Sequence, residues 1–418
     1  MRSRSVLNAA FPILLALLVA SPALAAERVV DGKAKACSDK GTGTEKRPWC
    51  RLAAAGTRAR PGDRVLIRGV YRERLVIRVS GTKAAPIVYE GTPDGKTALD
   101  GTGLKLDEEG MIDIEKRDHI TLRRLTIKHS PWYAMNVSGC RGVVIEKCGV
   151  LRSLHGGIVV DEGSSDIQLT GNDVRGVNAK GPDTAIHEAI TISNVRRFVV
   201  AGNHVHHAPK EGIDAKDGSS DGEIRDNVVE HLGKVGIYLN HATRVKVFGN
   251  KIHGNGYSGI QLAVGDYAMG PRVTAQNDIY RNLIWSNGYN GVQFWQEKAG
   301  ELRDNRLYNN VLYGNKHWGV LLEGTSGNTI KNNIIAKNGH AGIGGDAAAR
   351  STITHNLFFA NRGDETRGKN AVTRDPQLAN PARADFSLKP TSPAIDAGAR
   401  VGLPFKGKAP DIGAFERR

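Results

Sequence analysis

The chain is poor in the residues that mark several common protein classes. Four cysteines in 418 residues are too few for a disulfide scaffold. Beyond the N-terminus no stretch of 18 or more apolar residues occurs, which excludes a later membrane-spanning helix. Aromatic residues make up 6% of the chain, so the interior must be filled mainly by aliphatic side chains, as a narrow one can be. Acidic residues are outnumbered, 43 against 58 basic ones, for a formal net charge of +15. That imbalance suits anionic partners. None of the usual nucleic-acid-binding motifs is present, so an acidic polysaccharide is the expected partner and nucleic acid is not.

The N-terminus implies export. Arg2 and Arg4 precede the apolar run from Phe11 to Ala20, and Ser21-Pro22-Ala23-Leu24-Ala25 supplies small residues for cleavage near Ala25 or Ala26. Residues 1–26 are therefore expected to be a signal peptide, placing a monomeric mature chain in the periplasm or the medium. No cysteine at the cleavage point points to a lipoprotein. Cys37 and Cys50 bracket a short loop and can pair in an oxidising compartment. The spacing of Cys140 and Cys148 leaves their pairing open.

What the chain does have is repetition. His187-Glu-Ala-Ile-Thr-Ile-Ser193, Lys210-Glu-Gly-Ile-Asp-Ala-Lys216 and Lys234-Val-Gly-Ile-Tyr-Leu-Asn240 share one alternating pattern, that of a strand with one buried face. Their small residues belong to a column: Met111, Ala134, Gly157, Ala189, Gly212, Gly236, Gly259, Gly291, Gly319 and Gly342. The spacings are 23, 23, 32, 23, 24, 23, 32, 28 and 23. A second column, Asn172, Asn203, Asn227, Asn250, Asn282, Asn310, Asn333 and Asn356, carries matching insertions, with spacings of 31, 24, 23, 32, 28, 23 and 23. Strands at such a period indicate an all-β parallel β-helix, each coil stacked on the one before. The asparagines are assigned to the fold, hydrogen-bonding one another in the turns.

A single solenoid domain of roughly ten or more coils is expected on this period. Residues 27–109 read as an N-terminal cap and the first coils, with a short helix over Arg51–Ala59 covering the open end of the core. Residues 110–360 form the regular helix, and residues 361–418 a C-terminal cap. The 32-residue coils carry loops at Val177–Ile186 and Val264–Val273, placed to wall in a groove.

Stacking places Glu188 and Glu211 about 5 Å apart along the ladder, with Asp214 two residues beyond Gly212. Like charges so arranged repel. A hard cation such as calcium, bound by Glu188, Glu211 and Asp214, is the simplest remedy. Lys216, Tyr238, Asn240 and His241 stand beside them. The outward positions Asp161, Gln261, Gln293 and Trp295 give the face the polar and aromatic mixture suited to sugars.

With these motifs in view, the chain resembles the secreted, pectate-lyase-like right-handed β-helix proteins. Pro61-Gly62-Asp63 followed by Gly69-Val-Tyr71, the ladders, and the tail from Ser392-Pro-Ala-Ile-Asp-Ala-Gly398 to Asp411-Ile-Gly-Ala-Phe-Glu416 carry the resemblance. The right-handed winding is implied by it. Glu211-Gly-Ile-Asp214 is similar to the calcium-binding Asp-Gly-Phe-Asp motif of polysaccharide lyase family nine, with Glu188 standing for a further ligand. That family has a catalytic Lys two residues after the glycine of a later ladder strand; here that residue is Tyr238.

The resemblance implies an exported lyase cleaving a uronate-containing polysaccharide by calcium-assisted β-elimination. Lys216 or Tyr238 would act as base, with Lys234 or His241 assisting the leaving oxygen or binding substrate. C5-epimerisation shares the first proton abstraction. Hydrolysis by paired carboxylates drawn from Asp161, Glu188, Glu211 and Asp214 and a non-catalytic carbohydrate-binding solenoid are the alternatives. Metal binding by His204, His206 and His207 ranks below these, since histidines at a turn are usually solvated.

Overall fold

A computed structural model describes residues 26–266 and 270–417. The expected signal peptide lies outside the described residues except for Ala26. Short strands pair in parallel with their equivalents on the next coil, giving three long sheets of 13, 11 and 12 strands. Among the described residues no helix is long and apolar enough to cross a membrane.

The alternating pattern explains the register. In the 11-stranded sheet Ile158, Ile190, Ile213, Ile237, Ile260, Val292 and Val320 are in line from strand to strand. All are fully buried, each worth about 2 kcal/mol of hydrophobic stabilisation. The intervening residues Thr191, Asp214, Tyr238, Gln261 and Gln293 form a second line on the opposite face. The small-residue column has a steric cause. A Cβ on Gly212 would lie 2.5 Å from the Gly236 carbonyl, and one on Gly236 would lie 2.6 Å from that of Gly259.

The asparagine column is a continuous hydrogen-bonded ladder. Asn203 donates its backbone N–H and its side-chain amide to Asn227 Oδ1 at 2.9 and 3.0 Å. Asn227 does the same to Asn250 at 3.0 and 2.9 Å. Two further ladders, unread from the sequence, run through Asn255, Asn287, Asn315, Asn338 and Asn361 and through Asn277, Asn305 and Asn328.

The N-terminal helix spans Leu52–Arg58, with Leu52, Ala54, Ala55 and Gly56 buried. It packs on the strand Leu75–Ile77, where the 11-stranded sheet begins. Cys37 and Cys50 are disulfide-bonded, whereas Cys140 and Cys148 are free and buried. Leu378, Phe386, Leu388, Ala394 and Ile412 pack with Leu283, Val311, Ile334 and Leu357 of the 12-stranded sheet, so the tail runs along the flank of the solenoid.

Asn227→Ala would leave both Asn203 donors without their acceptor in a buried turn. We expect a loss of about 3 kcal/mol, read as a lowered urea midpoint.

Candidate functional site

The expected carboxylates are brought together on the outward face of the 11-stranded sheet. Thr191 and Asp214 are register partners, as are Asp214 and Tyr238. Glu188 and Glu211 precede the strands Ile190–Ser193 and Ile213–Lys216. Glu188 is 4% exposed and Asp214 3%, so their charges need partners inside the protein.

Two lysines supply them. Lys216 Nζ lies 2.8 Å from Glu188 Oε2 and 3.6 Å from Asp214 Oδ2. Lys210 Nζ lies 3.3 Å from Glu188 Oε1 and donates to the carbonyls of Ala185 and Ile186, both at 3.1 Å. Lys210 thereby fastens the loop 177–186 to the cluster. Thr191 Oγ1 donates to Glu188 Oε2 at 2.8 Å.

These contacts push the acids apart. Burial would raise the Glu188 carboxyl, but Lys216 and Lys210 outweigh it and hold it well below the usual range. Burial raises Asp214 well above that range; Lys216 offsets this only in part, and the charges of Glu188 and Glu211 add to it. Burial and then the Glu188 charge raise Glu211 as well. Burial would lower Lys216, yet Glu188 and Asp214 raise it and keep it an ammonium. Tyr238 is raised by burial and by Asp214 and Glu211, so it remains a phenol. His187 is lowered to about 4, first by burial and then by Lys216.

The three carboxylates expected to hold calcium share this cluster, but their oxygens do not converge. Among the described residues, the group of three metal-capable side chains with ligand atoms within 4.8 Å of one another is Asp173, His204 and His206. Lys216 stands between Glu188 and Asp214, where a bridging calcium would sit, and Lys210 contacts the other Glu188 oxygen. With both lysines in place the set does not fit a calcium ion bound by all three. Glu211 Oε2 and Asp214 Oδ1 are left buried without a partner.

The other expected residues are spread along the face. Asp161 is two strands before Asp214 and is raised by burial, partly offset by a hydrogen bond from Ser138. Gln261 adjoins Tyr238, with Oε1 buried and unpartnered. Gln293 accepts a bond from Ser258 at 3.0 Å. Asn240 accepts one from the Gly265 amide at 3.0 Å, tying down the second loop. Trp295 lies further along, opposite Ala263. His241 is not at the cluster surface. It is fully buried, both ring nitrogens lack a partner, and burial lowers its pKa. Lys234 is close enough for its charge to act on Glu211.

Sequence reasoning missed the role of Lys210 and a whole third column. The residues two before each small-residue position from Ala134 onward are Trp132, His155, His187, Lys210, Lys234, Tyr257, Tyr289, His317 and His340. Every one is aromatic, histidine or lysine, and that uniformity was the available signal. Backbone hydrogen bonds link Trp132 to His155 and His155 to His187, then Lys234 to Tyr257, Tyr289, His317 and His340 in turn. Trp132 stacks on His155 at 4.0 Å and Tyr257 on Tyr289 at 4.7 Å between ring centroids.

Three stacked parallel sheets with laddered asparagines define a parallel β-helix protein. The family model described as "Right handed beta helix region" matches residues 110–277 and 265–377, and the chain belongs to that family. It is 25% identical over 445 aligned positions to the uncharacterized protein YwoF of Bacillus subtilis (strain 168), covering 85% of this chain and 90% of YwoF. Its fold is similar to pectate lyase Pel9A, with 14% identity, coverage of 94% and 96%, and a TM-score of 0.53. It is also similar to the A-module of the Azotobacter vinelandii mannuronan C-5 epimerase AlgE6, with 15% identity, coverage of 75% and 91%, and a TM-score of 0.52.

The opposed pKa shifts have opposed effects on stability. Glu188 contributes stability that is present above the ordinary carboxylate range and lost only in strong acid, as pH falls through its lowered folded value. Asp214 binds its proton more tightly folded than unfolded, so its contribution declines as pH rises from its ordinary 3.8 towards its raised value. Asp214→Asn should therefore gain stability relative to the parent as pH rises above about 4. Lys216→Met, which strands a buried Glu188 charge, should lose about 3 kcal/mol at neutral pH. Urea denaturation across that pH range checks both.

Proposed function

We propose that the chain is an exported enzyme that cleaves a uronate-containing acidic polysaccharide by β-elimination. The observation that carries this assignment is the buried cluster of Glu188, Glu211, Asp214, Lys210 and Lys216. Its acids are pushed in opposite directions, as acid–base chemistry at one centre requires. The column from Trp132 to His340 supports a polymer lying along the solenoid. Aromatic faces flank the cluster for sugar rings, and Lys234 stands among them for anionic groups.

In this scheme Lys216, fixed as an ammonium, faces the substrate carboxylate and stabilises the negative charge that develops there. Asp214 or Glu211, more basic than an ordinary carboxylate because it is buried, takes the proton from the carbon bearing that carboxylate. The electron pair of the broken C–H bond forms the C4–C5 double bond and the bond to the glycosidic oxygen breaks. Tyr238, held protonated, gives its proton to that oxygen. The two ammonium groups take the part the sequence assigned to calcium. The likeness to an epimerase module fits the same first step, with the proton returned instead of the oxygen expelled.

One observation favours hydrolysis as a second possibility. A carboxyl shifted down beside one shifted up is also the pair that glycosidases use, and Glu188 with Glu211 or Asp214 forms such a pair.

Ultraviolet absorbance of the purified protein with pectate, alginate and glycosaminoglycans distinguishes these outcomes. We expect a rise on one polymer, unaffected by chelator and increasing with pH as the raised carboxyls ionise, with Lys216→Met slowing it by about 100-fold or more. Reducing ends without absorbance would mean hydrolysis. Activity abolished by chelator and restored by calcium would contradict the role given to the lysines.

A further inference from the structure

We infer that the outer face of the 12-stranded sheet carries a site for a divalent first-row transition cation, held by Asp173, His204 and His206. His204 and His206 do not sit in a turn. They lie on the strand His204–His206, alternate residues on one face, and Asp173 is the register partner of His204 on the preceding coil. One oxygen, Asp173 Oδ1, faces both rings, 2.9 Å from His206 Nε2 and 4.0 Å from His204 Nδ1. The rings stack 3.9 Å apart. The edges of a tetrahedral zinc site with Zn–N and Zn–O bonds near 2.0–2.1 Å are about 3.3 Å long, which these separations bracket; the ring planes are 17° from parallel, so one imidazole turns to bring both in-plane nitrogen lone pairs onto the ion.

The surroundings are built in the same sense. A metal-binding imidazole needs its second nitrogen held by another group, which fixes ring and tautomer. His204 Nε2 is held by Glu230 Oε1 at 2.7 Å, and His206 Nδ1 meets His207 Nδ1 at 2.7 Å. Arg175 Nε contacts the other Asp173 oxygen, Oδ2, at 3.5 Å, leaving Oδ1 for the ion. Two imidazoles and one carboxylate favour a borderline cation such as Zn²⁺ over calcium.

The site has a structural purpose independent of the carboxylate cluster, which lies on another sheet. Asp173 and His204 stand at the two ends of one long coil, the coil that bears the loop 177–186. A bound ion would fasten those ends and so anchor the loop that Lys210 ties to Glu188.

Isothermal titration of the purified protein with Zn²⁺, and Co²⁺ absorption as a report on coordination, test the site. We expect one saturable Zn²⁺ site, an intense visible Co²⁺ band, and a thermal midpoint raised by Zn²⁺ but not by Ca²⁺. His206→Ala and Asp173→Asn should each weaken binding by about 100-fold, and Glu230→Gln by about 10-fold. The metal-free urea midpoints of these variants should match the parent, showing that they fold. Zn²⁺ binding unchanged in His206→Ala, the absence of saturable binding in the parent, or Ca²⁺ bound at equal strength through the same residues would overturn the assignment.

Discussion

Parallel pairing of one coil on the next, at the fixed spacing of neighbouring strands, is the constraint on which everything else depends. It sets like residue over like residue in every column. Where the column is aliphatic this produces the core, and where it is asparagine it produces a ladder that satisfies the turn amides. The same rule that makes these columns stable would make a column of carboxylates unstable. Glu188 over Glu211, with Asp214 beside them, is tolerable only because Lys216 and Lys210 are brought to the same place.

The cost of that cluster is not fully offset. Glu211 Oε2 and Asp214 Oδ1 have no partner, and burial makes ionisation of both carboxyls unfavourable. A solenoid has many coils over which to recover the deficit, since its stability is approximately a sum over repeats and their interfaces. Such a local conflict within a consistent framework is characteristic of a site selected for chemistry.

Much of this was legible in the sequence, and the limits are physical. The small-residue and asparagine columns share their insertions, so register, core and the meeting of Glu188, Glu211 and Asp214 could be read directly. Lys210 could not, because a lysine next to a glutamate reads as a solvated pair until the fold shows that it bridges a loop and the Glu188 of the coil before. His241 follows a strand at a regular position, yet the returning chain buries it, which periodicity does not report. The histidines after Asn203 read as a turn because their strand is only three residues long. The tail, lacking a repeat, gave no sign that it would follow the flank.

If this cluster removes the proton next to a uronate carboxylate, that hydrogen must leave the substrate. The most direct test is the fate of that hydrogen, followed by mass spectrometry and NMR of a cleaved or isomerised oligouronate after reaction in D₂O. Proton abstraction by the cluster requires that the C5 hydrogen is lost to an unsaturated end, or replaced by deuterium where the proton is returned. Chain cleavage that leaves the C5 hydrogen in place and adds solvent oxygen at a new reducing end would contradict it.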